Sequence, residues 1–234
     1  MNKQQFIEEL LKLNIEISEE QLKQLDKYYK LLVEWNSFMN LTGITAENEV
    51  YLKHFYDSLT ITKIVNLSKT KTLCDVGTGA GFPGLVLKII FPHLKITLID
   101  SLNKRINFLN EVIKQLGLKD IETIHTRIEV FGINNREKYD VVVARAVAKL
   151  NVLLEYCIPI TKIDGYFIAM KANCEEELKE ISHALKVLNA NFIEREIIYL
   201  PCEQSLRTLI KIKKIKETDN KYPRKNSEIK KRTL

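Results

Sequence analysis

The run Cys74-Asp75-Val76-Gly77-Thr78-Gly79-Ala80-Gly81-Phe82-Pro83-Gly84 places four of the chain's eight glycines within eight positions. Apolar residues lead into it and a helical pattern leads out, with Pro83 suited to the first helical turn. Glycines at such a turn permit positive φ and close backbone approach, and the helix N-terminus offers free N–H groups. A nucleotide-like ligand belongs there. The spacing Gly79-x-Gly81-x-x-Gly84 also satisfies the dinucleotide fingerprint of nicotinamide enzymes. Asp75 bears on the choice: a carboxylate beside the first turn would repel a diphosphate, whereas S-adenosylmethionine presents an ammonium and a sulfonium. Asp75, Gly77, Gly79 and Gly81 are therefore expected to hold the methionyl end of that ligand.

A second group of residues closes predicted strands. Asp100, 23 residues after Gly77, ends the run Lys95–Asp100 and can accept the two ribose hydroxyls of either cofactor. In Thr126-Arg127-Ile128-Glu129, Ile128 is placed to pack on adenine, with a polar group nearby for the exocyclic amine; Arg127 and Glu129 can equally be a surface ion pair. Arg145 brings a guanidinium to the end of the fourth strand, where an anion of substrate or cofactor would offset its charge. Lys171 ends the fifth strand in the same way. Arg145 and Lys171 are the candidates for substrate positioning, with Lys104 and Arg105 as weaker phosphate contacts.

These residues need a sheet to align them. Short apolar runs at Thr72–Val76, Lys95–Asp100, Ile121–Thr126, Asp140–Ala144, Gly165–Lys171, Phe192–Leu200 and Leu206–Ile212 read as strands. Helical patterns lie between the first five, the clearest being Asn103 to Leu116, with Ser101 as its expected cap and Gly117 after its end. That alternation predicts an α/β fold with a mostly parallel seven-stranded sheet covered on both faces, and the last two strands form an antiparallel edge hairpin. Residues 1–66 read as helical: Ser18-x-x-Gln21 is a capping box, followed by Leu22, Leu25, Tyr28 or Tyr29, Leu32, Trp35 and Met39 at helical spacing. Asn40-Leu41-Thr42-Gly43 is a turn before a second helical segment from Thr45 to about Asn66. Trp35 is expected to anchor the core, Asn36 and Asn40 to tie backbone, and His54 and Asp57 to share one helix face, in a structural hydrogen bond or at the substrate.

Composition narrows the classes. With 234 residues, 45% hydrophobic and 28% charged, the chain is an ordinary globular protein with one main core and an appendage. No apolar run approaches the ~20 residues of a membrane span, and the start MNKQQFIEEL lacks the features of a signal peptide, so a cytoplasmic protein is expected. Cys74, Cys157, Cys174 and Cys202, and the four histidines, are too scattered for a zinc site or a disulfide framework, and no metal is expected. The net charge of +6 gathers at the end: Lys211–Leu234 has ten Lys or Arg against three acids, leaving 26 basic against 27 acidic groups before it. That segment reads as a solvated terminus or as an arm for a polyanion such as RNA.

Absences define the acceptor. No Asn/Asp-Pro-Pro-Tyr/Phe pattern, expected of enzymes that methylate exocyclic amines, follows the fourth strand. No cysteine lies in that region, or in a Pro-Cys setting just after the fifth strand, so covalent attack on a pyrimidine is disfavoured. A ring nitrogen with a free lone pair, such as guanine N7, needs no general base, and in-line positioning suffices.

Trp35-Asn36-x-x-x-Asn40-Leu41-Thr42, His54-x-x-Asp57-Ser58-Leu59, the Asp75–Gly84 loop, Asp100-Ser101-Leu102-x-Lys104-Arg105 and Ala144-Arg145-Ala146 together resemble the RsmG family, formerly GidB, over about residues 6–213. The resemblance implies a Rossmann-like class I methyltransferase that moves a methyl group from S-adenosylmethionine to N7 of a guanine in 16S ribosomal RNA, free or within the small ribosomal subunit. It places Gly77, Phe82, Ile128, Glu129 and Arg145 at cofactor-binding positions. The chain has Lys171-Ala172 where the family usually reads Lys-Gly. The expected organisation is a helical cap at 1–66, a cofactor-binding domain at 67–213 and a basic tail at 214–234. A nicotinamide-dependent oxidoreductase and a non-catalytic RNA-binding protein are the alternatives.

Overall fold

A computed structural model describes residues 1–234. Seven strands form one sheet in the order β3-β2-β1-β4-β5-β7-β6. They are β1 (Thr72–Val76), β2 (Lys95–Asp100), β3 (Ile121–His125), β4 (Tyr139–Arg145), β5 (Thr161–Lys171), β6 (Ala190–Tyr199) and β7 (Leu206–Lys214). The first five are parallel, and β7 runs antiparallel between β5 and β6, giving the expected edge hairpin. Parallel register sets Val76 beside Ile99 and Ala144, and Ala144 beside Ala169, so the carboxyl ends of the strands form one rim. The chain order reverses between β1 and β4, and a crevice opens at such a switch point.

Helices cover both faces. Asn2 caps α1 (Lys3–Lys12), and the predicted capping box opens α2 (Glu19–Met39): the Gln21 N–H donates to Ser18 Oγ at 3.2 Å, and the Ser18 N–H to Gln21 Oε1 at 2.9 Å. The predicted second segment is continuous but changes pitch, from α3 (Glu47–Val50) through a π-helical turn (Tyr51–Tyr56) to α4 (Asp57–Leu59) and a 3₁₀ turn (Thr60–Lys63). These helices share one core with α5 (Gly84–Ile90), α6 (Asn103–Leu116) and one face of the sheet. On the opposite face lie α7 (Ile128–Asn134), α8 (Leu150–Cys157), α9 (Glu175–Lys179) and α10 (Ser182–Val187). No helix is long and apolar enough to cross a membrane.

Three local expectations need correction. Ser101 does not cap α6: the helix starts from Leu102, and Asp100 Oδ1 accepts the Leu102 N–H at 2.9 Å, a carboxylate being the stronger acceptor. Pro83 is the cap residue of α5 and precedes its first turn. Trp35 is only half-buried, against Phe38 and Phe108, while Tyr28 takes the fully buried place on the α2 stripe.

The carboxyl-terminal segment is docked. Arg136 donates to the Tyr222 carbonyl at 2.6 Å and also holds that of Thr218. Arg224 grips Glu155 of α8 through Nε at 2.8 Å and an NH2 group at 2.6 Å, and Ile229 of α11 (Asn226–Lys231) is inaccessible to solvent. Charge counting saw the outer, basic face of this segment. Tyr222, Pro223, Arg224 and Ile229 give it an inner one.

Candidate active site

The glycine loop binds itself. Gly77 and Thr78 both donate their N–H to the Ile99 carbonyl, Gly81 and Phe82 to the Thr78 carbonyl, Gly79 to Asp100 Oδ2 and Gly84 to Asp75 Oδ2. Gly77 adopts φ +68°, a left-handed conformation that glycine takes readily, and Val147 lies directly over it. A Cβ on Gly84 would stand 2.3 Å from Leu98 and 2.8 Å from the Asp75 carboxylate, so that position requires glycine because helix and strand touch. From below, the Tyr28 hydroxyl donates to the Ala80 carbonyl, and its ring stacks on Phe55 and Phe82.

Asp75 was expected to face the ligand, and its position corrects that. Its side chain is fully buried under the loop, where Oδ2 accepts from Thr78 Oγ1 at 2.7 Å and the Gly84 N–H at 2.8 Å. Oδ1 has no partner. Burial pushes this carboxyl up to about 6, against the downward pull of those hydrogen bonds. The acid fastens β1 to the start of α5; it does not line the crevice. Discrimination between ligands therefore passes to the loop's donors. A diphosphate site needs several free N–H groups, and here those of Gly77, Thr78, Gly79, Gly81, Phe82 and Gly84 are all engaged.

A crevice of ≈ 400 Å³ opens at the switch point, within the size range of cofactor pockets. It brings together Gly77, Asp100, Ile128 and Glu129 from three separate connections, with Val147 from a fourth and Tyr156 from α8. Asp100 is 2% exposed: Oδ1 holds Leu102, and Oδ2 accepts from Gly79 at 3.0 Å and Arg105 at 3.1 Å. A carboxylate has about four acceptor positions, so capacity is left for a ligand hydroxyl. Arg127 Nη1 lies 3.7 Å from Glu129, and the surface ion pair allowed by the sequence exists alongside the crevice position of Glu129. The apolar walls and the two carboxylates fit an adenosine with its ribose hydroxyls. Larger hollows of ≈ 470 and ≈ 660 Å³ involve the amino-terminal parts of β4 and β5 and the outer helices, away from the rim.

A second hollow of ≈ 410 Å³ adjoins the first across Arg145–Ala148 and gathers Lys53, His54, Asp57, Arg145, Lys171 and Arg207. Ala146, at φ +56°, makes the turn between Arg145 and Val147; a non-glycine residue held there is strained, a feature that clusters at functional sites. Arg145 was expected to await an anion from a ligand, but its nearest anion belongs to the chain: Nη1 donates to Asp57 Oδ2 at 3.0 Å and to the Lys53 carbonyl at 3.1 Å. Arg207 Nε lies 3.2 Å from Asp57 Oδ1 without hydrogen-bond alignment. His54 and Asp57 thus meet through Arg145 and make no bond to each other. The His54 ring stacks on Phe82 at 4.3 Å, its Nδ1 lies 3.3 Å from Arg145, and its Nε2 lies 2.9 Å from Thr42 Oγ1. Burial, then the Arg145 charge, lowers its pKa to about 3, so the imidazole is neutral. Lys171 donates to the Ala148 carbonyl at 2.9 Å and pairs with Glu177 at 2.7 Å. Lys104 is turned to the Met39 carbonyl at 2.7 Å, outside both hollows.

Phe82 is not in either hollow; it is the buried plate between Tyr28, His54 and Arg145. Sequence reasoning missed Thr78, Val147, Tyr156, Asn226 and Lys230. Only Thr78 carried a signal, as a hydroxyl three residues after Asp75.

The family model for rRNA small subunit methyltransferase G, GidB, matches residues 21–199. The chain is 53% identical over 228 residues to ribosomal RNA small subunit methyltransferase G of Exiguobacterium sibiricum, covering 96% of each chain. It is likewise 53% identical to the protein of that name from Lysinibacillus sphaericus, again over 96% of each. A SAM-dependent methyltransferase from Aquifex aeolicus superposes with a TM-score of 0.52 at 20% identity, covering 71% of this chain and 93% of that one, a likeness of fold.

Proposed function

Since the chain belongs to the GidB family of small-subunit ribosomal RNA methyltransferases, we propose that it methylates guanine N7 in 16S ribosomal RNA, with S-adenosylmethionine as donor. The donor inventory of the glycine loop carries the choice of cofactor. With six of its N–H groups engaged and two carboxylates facing the crevice, the site suits adenosine attached to a cationic chain and disfavours a pyrophosphate. The nicotinamide reading finds too few free donors in the glycine loop to hold its diphosphate there.

The bound cofactor supplies an electrophilic methyl group on sulfur. Asp100 would accept a ribose hydroxyl, Ile128 and Val147 would enclose the adenosine, and Gly77 would let it approach the backbone. Arg145, held by Asp57 and His54, and Lys171, held by Glu177, keep fixed positive charge beside the neighbouring hollow. Lys53 and Arg207 extend that charge, which gathers RNA phosphates and turns the target base toward the crevice. His54 is neutral, and its Nδ1 lone pair faces Arg145, so it is not a free general base. Guanine N7 requires none, because it attacks through a lone pair and loses no proton. Substrate and enzyme would meet in the cytoplasm, on free RNA or on the small subunit.

Purified chain with small-subunit RNA and labelled S-adenosylmethionine should yield 7-methylguanosine, and calorimetry should show S-adenosylhomocysteine binding without NAD binding. Label recovered on another atom would end the N7 assignment, and binding of NAD alone would end the methyltransferase reading.

A further inference from the structure

On the reading that the crevice takes adenosine, we propose that the carboxyl-terminal segment 215–234 is a built wall of the cofactor site. Asn226 and Lys230 of α11 are its ligand-facing groups, and the adenine edge is what they recognise. Both residues line the same crevice as Gly77 and Asp100. The Tyr156 hydroxyl donates to Asn226 Oδ1 at 2.9 Å, which fixes the amide plane, and the Asn226 Nδ2 group makes no bond within the chain. Lys230 has no carboxylate partner either. Adenine ring nitrogens only accept, so an amide N–H and an ammonium complement that edge.

The segment is held firmly enough to act as a wall. Arg224 makes two hydrogen bonds to Glu155, which is inaccessible to solvent, and a third comes from the Arg224 backbone N–H at 2.9 Å. Pro223 packs on Gly132 so closely that a Cβ there would lie 3.0 Å from its ring. Tyr156 follows Glu155 on α8, so the residue that anchors the segment adjoins the one that orients Asn226. The match to the family model ends at residue 199, short of this segment.

Three single variants of the full chain test the wall by calorimetry with S-adenosylhomocysteine and by steady-state kinetics. Asn226→Ala and Lys230→Ala should each weaken binding on the order of fivefold, the worth of one hydrogen bond, with the KM for S-adenosylmethionine rising in step. Lys216→Ala removes the same charge from the same segment away from the crevice and should bind as the native chain does. Native-like affinity in both crevice variants, or a rise confined to the KM for RNA, overturns the wall while leaving the methyltransferase intact. Absence of S-adenosylhomocysteine binding by the native chain overturns the methyltransferase reading and the wall together.

Discussion

Asp75 under the glycine loop and His54 against Phe82 respond to pH in opposite senses. The Asp75 carboxyl is raised from 3.8 to about 6, so its contribution to stability is fully present below pH 3.8 and is lost as pH rises through 6. His54 is lowered from 6.5 to about 3, so its contribution is fully present above pH 6.5 and is lost as pH falls toward 3. Between pH 4 and 6 the two partly cancel, and His54→Gln separates them. Denaturant unfolding across this range should show the native chain losing more stability than His54→Gln on acidification from pH 6.5 to 4. Parallel pH curves would mean that His54 titrates normally in the folded state. Sequence chemistry flagged both residues but misjudged Asp75, because an acid beside a turn looks the same whether it faces the ligand or braces the loop.

The α2 stripe was legible at spacings of three and four, but two adjacent tyrosines competed for it; helix phase buries Tyr28 and leaves Tyr29 half-exposed. That choice puts a hydroxyl under the loop. Tyr28→Phe strands the Ala80 carbonyl, whose residue is 4% exposed, and should cost about 1–3 kcal/mol in urea unfolding. A loss below ~0.5 kcal/mol would mean that the loop is not braced from this side. Strands β1 and β2 fall where alternation placed them, whereas β5 begins four residues early, at Thr161 rather than Gly165. Lys162 and Asp164 read as loop, and the ladder to β4 shifts register there, so no apolar rhythm marks that part of the strand.

Across the whole molecule, the basic end of the chain combines two properties. Its lysines explain the net charge, and its inner face joins α8 and the connection between α7 and β4 through Arg136, Arg224 and Ile229. Arg224→Ala would leave Glu155 as a buried carboxylate without its counter-charge, a loss of about 3–5 kcal/mol. Unfolding midpoints should fall accordingly, and limited proteolysis should cut residues 215–234 before the rest of the chain. Unaltered midpoints and an unaltered cleavage pattern would show that the pair does not anchor the segment.

Local signals alone determined the strand order in sequence, the glycine turn, the second acid at the end of β2 and the family resemblance, because backbone periodicity, caps and turn residues act over a few positions. Tertiary structure decided where each charge points. Asp75 turns beneath the loop, Arg145 finds Asp57 from 88 positions away, and the carboxyl-terminal segment settles beside the crevice. Those outcomes depend on which distant partner completes a buried hydrogen bond or ion pair, and the spacing of residues along a chain does not contain that information.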